Sequence, residues 1–513
     1  MAGDAAATIP GWFSVLPPLL AIGAALCFRA VVPSLFLGLW LGAWGVAGLT
    51  ATGLGQGLLD SVGVYVVGAL ADEDHAAVIL FSFMIGGLIG VITASGGMHG
   101  VVTWLLGRAR TRRGGQLATI LMGMAVFIDD YANSLIVGRT MSPVARKLGI
   151  SREKMAYLVD STAAPVAGVA LITTWIGYQL GLLGDALAHL PQLDTSPYGL
   201  FLGALPYSFY PWFALFLVFW VAGSGRDIGP MVAAEREAAR VHATEPSEAE
   251  TEASTAPVSY ATVPLAVLIG GVFAGLWATG EGDSLRDIIG SASAYSALLW
   301  ASLAAVVTAI VLPLMSGHCR LNTLMDGWTE GVGAMLPAMI ILVLAWALAA
   351  TTRELGTADY LVGLLEGSMT PALIPAVVFL LAAGTAFATG TSWGTMGILM
   401  PLVLPLAVAL APESMPILHA SIAAVMAGAI FGDHCSPISD TTILSSMATG
   451  CDHVRHVQTQ LPYALLAGGV ALVAGWLPVG LGLPWWLCLP LGALLLMAAM
   501  QVFGRRATAE QLS

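Results

Sequence analysis

The chain has 513 residues, 57% of them hydrophobic and only 10% charged, with mean hydropathy +0.84. A soluble fold carries about 25% charge, and a net charge of −12 with only 19 Lys and Arg supplies no basic surface for nucleic acid. A soluble enzyme, a nucleic-acid binder and a disordered chain are thereby excluded, and a polytopic helical membrane protein remains.

In chain order, apolar runs long enough to matter lie near 11–28, 31–50, 76–106, 114–138, 155–183 and 198–222. A second set lies near 258–279, 292–315, 330–352, 371–411, 416–450, 459–482 and 484–503. The start, MAGDAAATIPGW, lacks the basic stretch of a cleaved signal, so the first apolar segment is expected to be retained. Residues 56–70 and 320–333 are short and amphipathic and are expected along the membrane interface. Between the two sets, 223–257 holds Arg226, Glu235, Arg236, Glu237, Arg240, Glu245, Glu248, Glu250 and Glu252 and reads as a solvated cytoplasmic linker. The chain thus divides into an N-terminal membrane repeat (1–222), the charged linker (223–257) and a C-terminal membrane repeat (258–513). The five cysteines, Cys27, Cys319, Cys435, Cys451 and Cys488, form no CxxC pair, so no disulfide framework is expected.

The halves align at one constant spacing. SGGMHGVVTWLL pairs Gly96 with Gly356, MAVFIDDYANSL pairs Phe127 with Phe387, and Glu153 with Met155 falls on Glu413 with Met415. This layout indicates an internal repeat.

Basic residues set the topology. Arg108, Arg110, Arg112 and Arg113 form one cluster, and Arg139, Arg146, Lys147, Arg152 and Lys154 form another, with FIDDYANS between them. If 114–138 crossed the membrane, one cluster would face the wrong side. A re-entrant hairpin leaves both inside, as the positive-inside rule prefers. In the second half, 371–411 is broken at ATGTSWGT and forms a hairpin from the outer side. The expected fold is all-α: two inverted-topology repeats with about ten transmembrane helices and two re-entrant helical hairpins. Secondary transporters built this way bind near the midplane at broken helices.

Charged groups inside membrane segments are costly and mark function. The inner tip carries Asp129, Asp130, Asn133 and Ser134, hard oxygen ligands for a small cation. Asp160, Ser161 and Thr162 precede Pro165, which frees carbonyls upstream; a simple proline kink is the bland alternative. The outer tip, with Thr391, Ser392 and Thr395, offers neutral oxygens and helix N-terminal amides. Asp433, His434, Ser436, Asp440 and Thr441 surround Pro437 within one apolar segment, a pattern that core packing does not explain. A zinc site of His434, Cys435, Cys451, His453 and His456 has suitable ligand types but no familiar spacing. No Walker-type loop is present, so nothing supports ATP-driven transport.

FIDDYANSL, VDSTAAP, GTSWGTMGILMP and FGDHCSPISDTT together resemble the NhaC family of sodium/proton antiporters, within the wider ion-transporter superfamily. The resemblance spans residues 15 to 500. It implies a homodimer of inverted repeats in a bacterial or archaeal plasma membrane, in which a mobile domain moves as an elevator against a scaffold. It also implies two half-sites: Asp129, Asp130, Asn133 and Ser134 with the break after Asp160, and Thr391, Ser392 and Thr395 with Asp433, Ser436 and Asp440.

The expected activity is exchange of cytoplasmic Na⁺ for protons, with Asp129, Asp130, Asp160 and Asp433 as the titrating Na⁺ ligands. Desolvation and a neighbouring carboxylate favour the protonated acid, Na⁺ favours the ionised one, and the two compete. No cofactor and no enzymatic chemistry are expected. The alternative is a sodium-coupled carrier or exchanger of a small organic anion or amino acid.

Overall fold

The computed structural model describes residues 10–506 except 29, 98–110, 128, 194, 245–255, 282–292, 358, 361–362, 364–369 and 438. Of the residues named from sequence, Arg108, Arg110, Glu245, Glu248, Glu250 and Glu252 lie outside the described residues, as does the side chain of Asp440.

Nearly all ordered structure is helical. Among the described residues ten helices are long and apolar enough to cross a membrane, and the bent pair Pro197–Tyr207 and Phe209–Ser224, angled by 49°, makes an eleventh. The helix Met415–Cys435 is central, with 72% of its apolar window buried; Trp485–Phe503 is peripheral, with 22%. The exception to helix is a two-residue antiparallel pair, Arg226 opposite Arg506 and Asp227 opposite Arg505. It ties the start of the linker to the end of the last helix.

Two segments expected along the interface are built differently. Residues 56–70 belong to one 21-residue helix, Ala51–Ala71. Thr50 caps it by accepting from the Gly53 amide at 2.9 Å, and a π-helical stretch at Ser61–Val66 carries it on to Ala71. Its exposed Leu58, Leu59, Val62, Val64 and Val67 suit lipid rather than water. Residues 320–333 continue into the 34-residue helix Leu321–Glu354. Here Gly327 and Gly331 meet Gly86 and Gly90 of Glu73–Ala94 so closely that a Cβ at Gly90 would strike the Gly327 carbonyl. Small residues at such a crossing let backbones approach. Packing, not amphipathicity, sets the course of this segment.

The first broken segment is a true hairpin. Helices Arg112–Ala125 and Asp130–Lys147 pack on each other. A 14-residue helix is about 21 Å long, short of a bilayer core of about 30 Å. Glu235 holds both ends: its Oε2 lies 2.5 Å from Arg112 Nη2, and its Oε1 accepts from the Ser151 amide at 2.8 Å. One carboxylate reaches both ends only if the chain leaves and returns on the same side. The second broken segment comprises Pro371–Thr389 and Ser392–Leu410, each 19 residues and long and apolar enough to span.

The linker is less solvated than its charge suggests. Met231–Thr244 is a helix packed on Arg152–Asp160, with Glu235 buried. Asp227 is buried in an ion pair with Lys154 and also accepts from Tyr463 Oη at 2.7 Å. Buried charge of this kind occurs only when paired. The alternation of Glu and Arg conceals it in the sequence.

Candidate functional site

Every predicted site segment is a helix break, and each break has a local cause. The Arg112–Ala125 helix stops at Val126, and the chain restarts at Asp130, where a carboxylate in the first turn suits the positive end of the helix dipole. Ile374–Thr389 ends at Gly390, whose φ of 69° is the left-handed cap that glycine adopts without strain. Thr391 then caps Ser392–Leu410. Arg152–Asp160 breaks at Ser161–Ala163, and Pro165 starts the next short turn. Met415–Cys435 ends before Ser436 and Pro437, and the chain restarts as Asp440–Thr449.

The breaks converge. Asn133 ties the break before Asp130 to the break after Asp160: its amide donates to the carbonyls of Gly123 at 2.6 Å and Thr162 at 2.9 Å, and more weakly to Val126. Its Oδ1 is buried and accepts no hydrogen bond. Asp129, Asp130 and Asp433 are all buried. Asp130 accepts from Trp175 Nε1 at 3.1 Å, and the charges acting on it are those of Asp129 and Asp433, both of its own sign. Ser392, on the tip of the second broken segment, donates to Asp433 Oδ2 at 3.2 Å. Trp393 on the same tip packs against Trp175 and Tyr178, and Tyr178 Oη donates to the Trp393 carbonyl. Both tips therefore meet around Trp175 and the three aspartates. Ser436 donates to the Phe387 carbonyl at 2.7 Å, and Thr395 to the Thr391 carbonyl at 3.0 Å; both hydroxyls help hold the tip. Thr441 is buried beside Ser439 at 3.0 Å.

Asp160 anchors a second polar cluster. It is fully buried and accepts from Gln460 Nε2 at 2.5 Å, Thr442 Oγ1 at 3.2 Å and Ser445 Oγ at 3.4 Å. His434 Nε2 and His456 Nε2 both lie 3.9 Å from its Oδ2. His434 is held by Tyr210 Oη at 2.5 Å and Ser161 Oγ at 3.1 Å. Ser445 also contacts Ser134 Oγ at 3.2 Å, which joins this cluster to the first hairpin. Thr162 turns its hydroxyl back onto the Leu158 carbonyl at 2.8 Å. The four aspartates named from sequence thus form two neighbouring groups. Among the described residues no three His, Cys, Asp or Glu side chains converge to hold a metal ion, and the zinc arrangement of His434, Cys435, Cys451, His453 and His456 is not formed.

Sequence reasoning missed Trp175, Tyr210, Ser445 and Gln460, named Thr442 only within the FGDHCSPISDTT motif, and named His456 only as a zinc ligand. His456 and Gln460 had a signal: with His453 they occupy one face of a helix at i, i+3 and i+7. Their nearness to Arg455 disguised them as a cytoplasmic edge. Trp175 and Tyr210 look like any interfacial aromatic.

Broken helices meeting at buried carboxylates inside a bundle of membrane-length helices define a multi-pass secondary transporter. The sequence profile of the Na⁺/H⁺ antiporter family matches residues 166–476. An uncharacterised protein of Haemophilus influenzae is 31% identical over 476 residues, covering 91% of each chain. An uncharacterised Na⁺/H⁺ antiporter of the same organism is 33% identical over 163 residues, 31% of this chain and 34% of that one. The chain belongs to the Na⁺/H⁺ antiporter family. Its fold is that of two solved transporters. The YdaH transporter of Alcanivorax borkumensis has a TM-score of 0.57 at 16% identity, over 85% of this chain and 91% of that one. MtrF of Neisseria gonorrhoeae, described as illuminating a class of antimetabolite efflux pumps, has 0.56 at 14% identity, over 84% of each.

Proposed function

We propose that the protein is an NhaC-type antiporter that exchanges cytoplasmic Na⁺ for protons across a bacterial or archaeal plasma membrane. The observation that carries this reading is the burial of Asp130 against two carboxylates of its own sign, with the Trp175 indole N–H donating to it. Like charges gathered in a low dielectric raise the cost of ionising one another, and either a bound Na⁺ or a proton relieves that cost, so that each displaces the other. Asp129, Asp130 and Asp433 are the pool from which one or two charged ligands are drawn at a time, and Asn133 Oδ1, Ser134 and Ser392 are neutral oxygens at the same breaks.

The repeat layout supports inverted symmetry of 1–222 and 258–513. The first hairpin enters from the side of the linker, and its tip at Asp130 meets the tip at Gly390–Ser392, the position that the constant repeat spacing assigns as its partner. An elevator motion of the hairpin domain and a homodimeric scaffold complete the proposal.

The second reading, a sodium-coupled carrier of a small organic anion or amino acid, is favoured by one feature. The Thr391–Thr395 tip has no charge and presents a helix N-terminus. Expression in an antiporter-deficient bacterium separates the two. Growth restored at high NaCl supports Na⁺/H⁺ exchange. Failure to restore growth, together with thermal stabilisation of the purified protein by carboxylates only when Na⁺ is present, supports the carrier.

A further inference from the structure

The side chains between Asp160 and the cytoplasmic end of His453–Gly480 form a continuous polar chain whose hydrogens can be assigned. Gln460 Nε2 lies 2.5 Å from Asp160 Oδ2 and 2.7 Å from the His434 carbonyl, and both of these only accept. The amide orientation is therefore fixed, and Gln460 Oε1 faces His456 Nε2 at 2.9 Å as an acceptor. His456 must carry its proton on Nε2, so in the neutral ring Nδ1 is an acceptor. His453 repeats the pattern: Nε2 faces the Pro437 carbonyl at 2.6 Å and must donate, so its neutral Nδ1 accepts as well.

Ser446 stands between the two rings. Its hydroxyl lies 2.7 Å from the Thr442 carbonyl, 2.8 Å from His456 Nδ1 and 3.1 Å from His453 Nδ1. With both rings neutral, three acceptors face one hydroxyl proton. One further proton resolves the conflict, because the ring that takes it becomes a donor to Ser446 Oγ.

We propose that His453, Ser446 and His456 form a proton relay between the cytoplasm and Asp160; this rests on the Na⁺/H⁺ exchange proposed above. A proton from solvent binds Nδ1 of His453, which is half-buried at the cytoplasmic end. His453 passes its Nδ1 proton to Ser446 Oγ while Ser446 passes its hydroxyl proton to Nδ1 of His456. His453 returns to neutral, Ser446 is unchanged, and the positive charge now sits on His456, 3.9 Å from Asp160 Oδ2. At that distance the imidazolium forms an ion pair with the carboxylate, and its charge offsets the buried negative charge of Asp160. Fully buried His434 faces the same oxygen at 3.9 Å. Asp452 and Arg455 flank the entry on its own helix, and Glu153, 2.8 Å from Arg455, faces it from the Arg152–Asp160 helix.

The test uses the full chain in proteoliposomes, with Na⁺-driven H⁺ flux and Na⁺/Na⁺ counterflow measured side by side. Counterflow needs no proton to move. In Ser446→Ala and His456→Gln the H⁺ flux is expected to fall on the order of tenfold or more, as for loss of a proton-transfer group. Ser446→Thr keeps a hydroxyl and should restore the flux. Counterflow in Ser446→Ala should stay within about twofold of wild type, which a merely misfolded variant would not achieve. Wild-type H⁺ flux in both variants overturns the relay. So does a parallel fall of counterflow in Ser446→Ala that threonine does not restore. Absence of counterflow in the wild type overturns the Na⁺ reading itself, and the relay with it.

Discussion

At the scale of the residue, Asn133 shows how much one side chain carries. Its amide satisfies carbonyls freed by two different helix breaks. Asn133→Ala leaves those carbonyls buried and unpaired, which destabilises by about 1–3 kcal/mol. Thermal unfolding of the purified protein should show the loss, and an unchanged melting temperature would contradict the role. Cys451 gives a second check. Burial first, then Glu153 and Asp452, push its thiol up to about 12. At neutral pH the thiolate is then scarce, and maleimide should react slowly with the folded protein and quickly after denaturation; equal rates would contradict the burial. The aspartates and the hydroxyls around them were legible in the sequence because charge in an apolar run is conspicuous. Gln460 and Ser445 were not, since uncharged polar residues on membrane helices are common and only tertiary contact aims them at Asp160.

At the scale of the element, the breaks were legible because their causes are local: Pro165, Pro437, Gly390 and the paired carboxylates at 129–130. The linker was not. Its Glu-rich composition reads as solvent-facing, whereas Asp227 and Glu235 are buried partners of Lys154 and Arg112. Removing one member of a buried ion pair strands the other charge and costs about 3–5 kcal/mol. Lys154→Met is therefore expected to destabilise strongly, and Lys154→Met with Asp227→Leu to recover much of the loss. A double variant as unstable as the single one would show that the pair is not coupled. That residues 320–333 run on into a longer packed helix was hidden for a related reason: helical periodicity does not reveal a glycine crossing such as Gly86 and Gly90 against Gly327 and Gly331.

At the scale of the whole molecule, the basic clusters predicted that the first hairpin turns back, and Glu235 binds both of its ends. Single cysteines replacing Arg113 and Arg146 should therefore be labelled by an impermeant reagent from the same face of the membrane, the one that also labels the linker. Labelling from opposite faces would make 112–147 a crossing and remove the inverted symmetry. The central claim is that Na⁺ and protons compete for carboxylates gathered by the two broken tips. The most direct measurement is Na⁺-dependent pH change inside proteoliposomes for the wild type, Asp130→Asn and Asp433→Asn. The account predicts exchange in the wild type and its loss in both variants. Exchange at the wild-type rate in either variant, or no Na⁺-dependent pH change in the wild type, would contradict it.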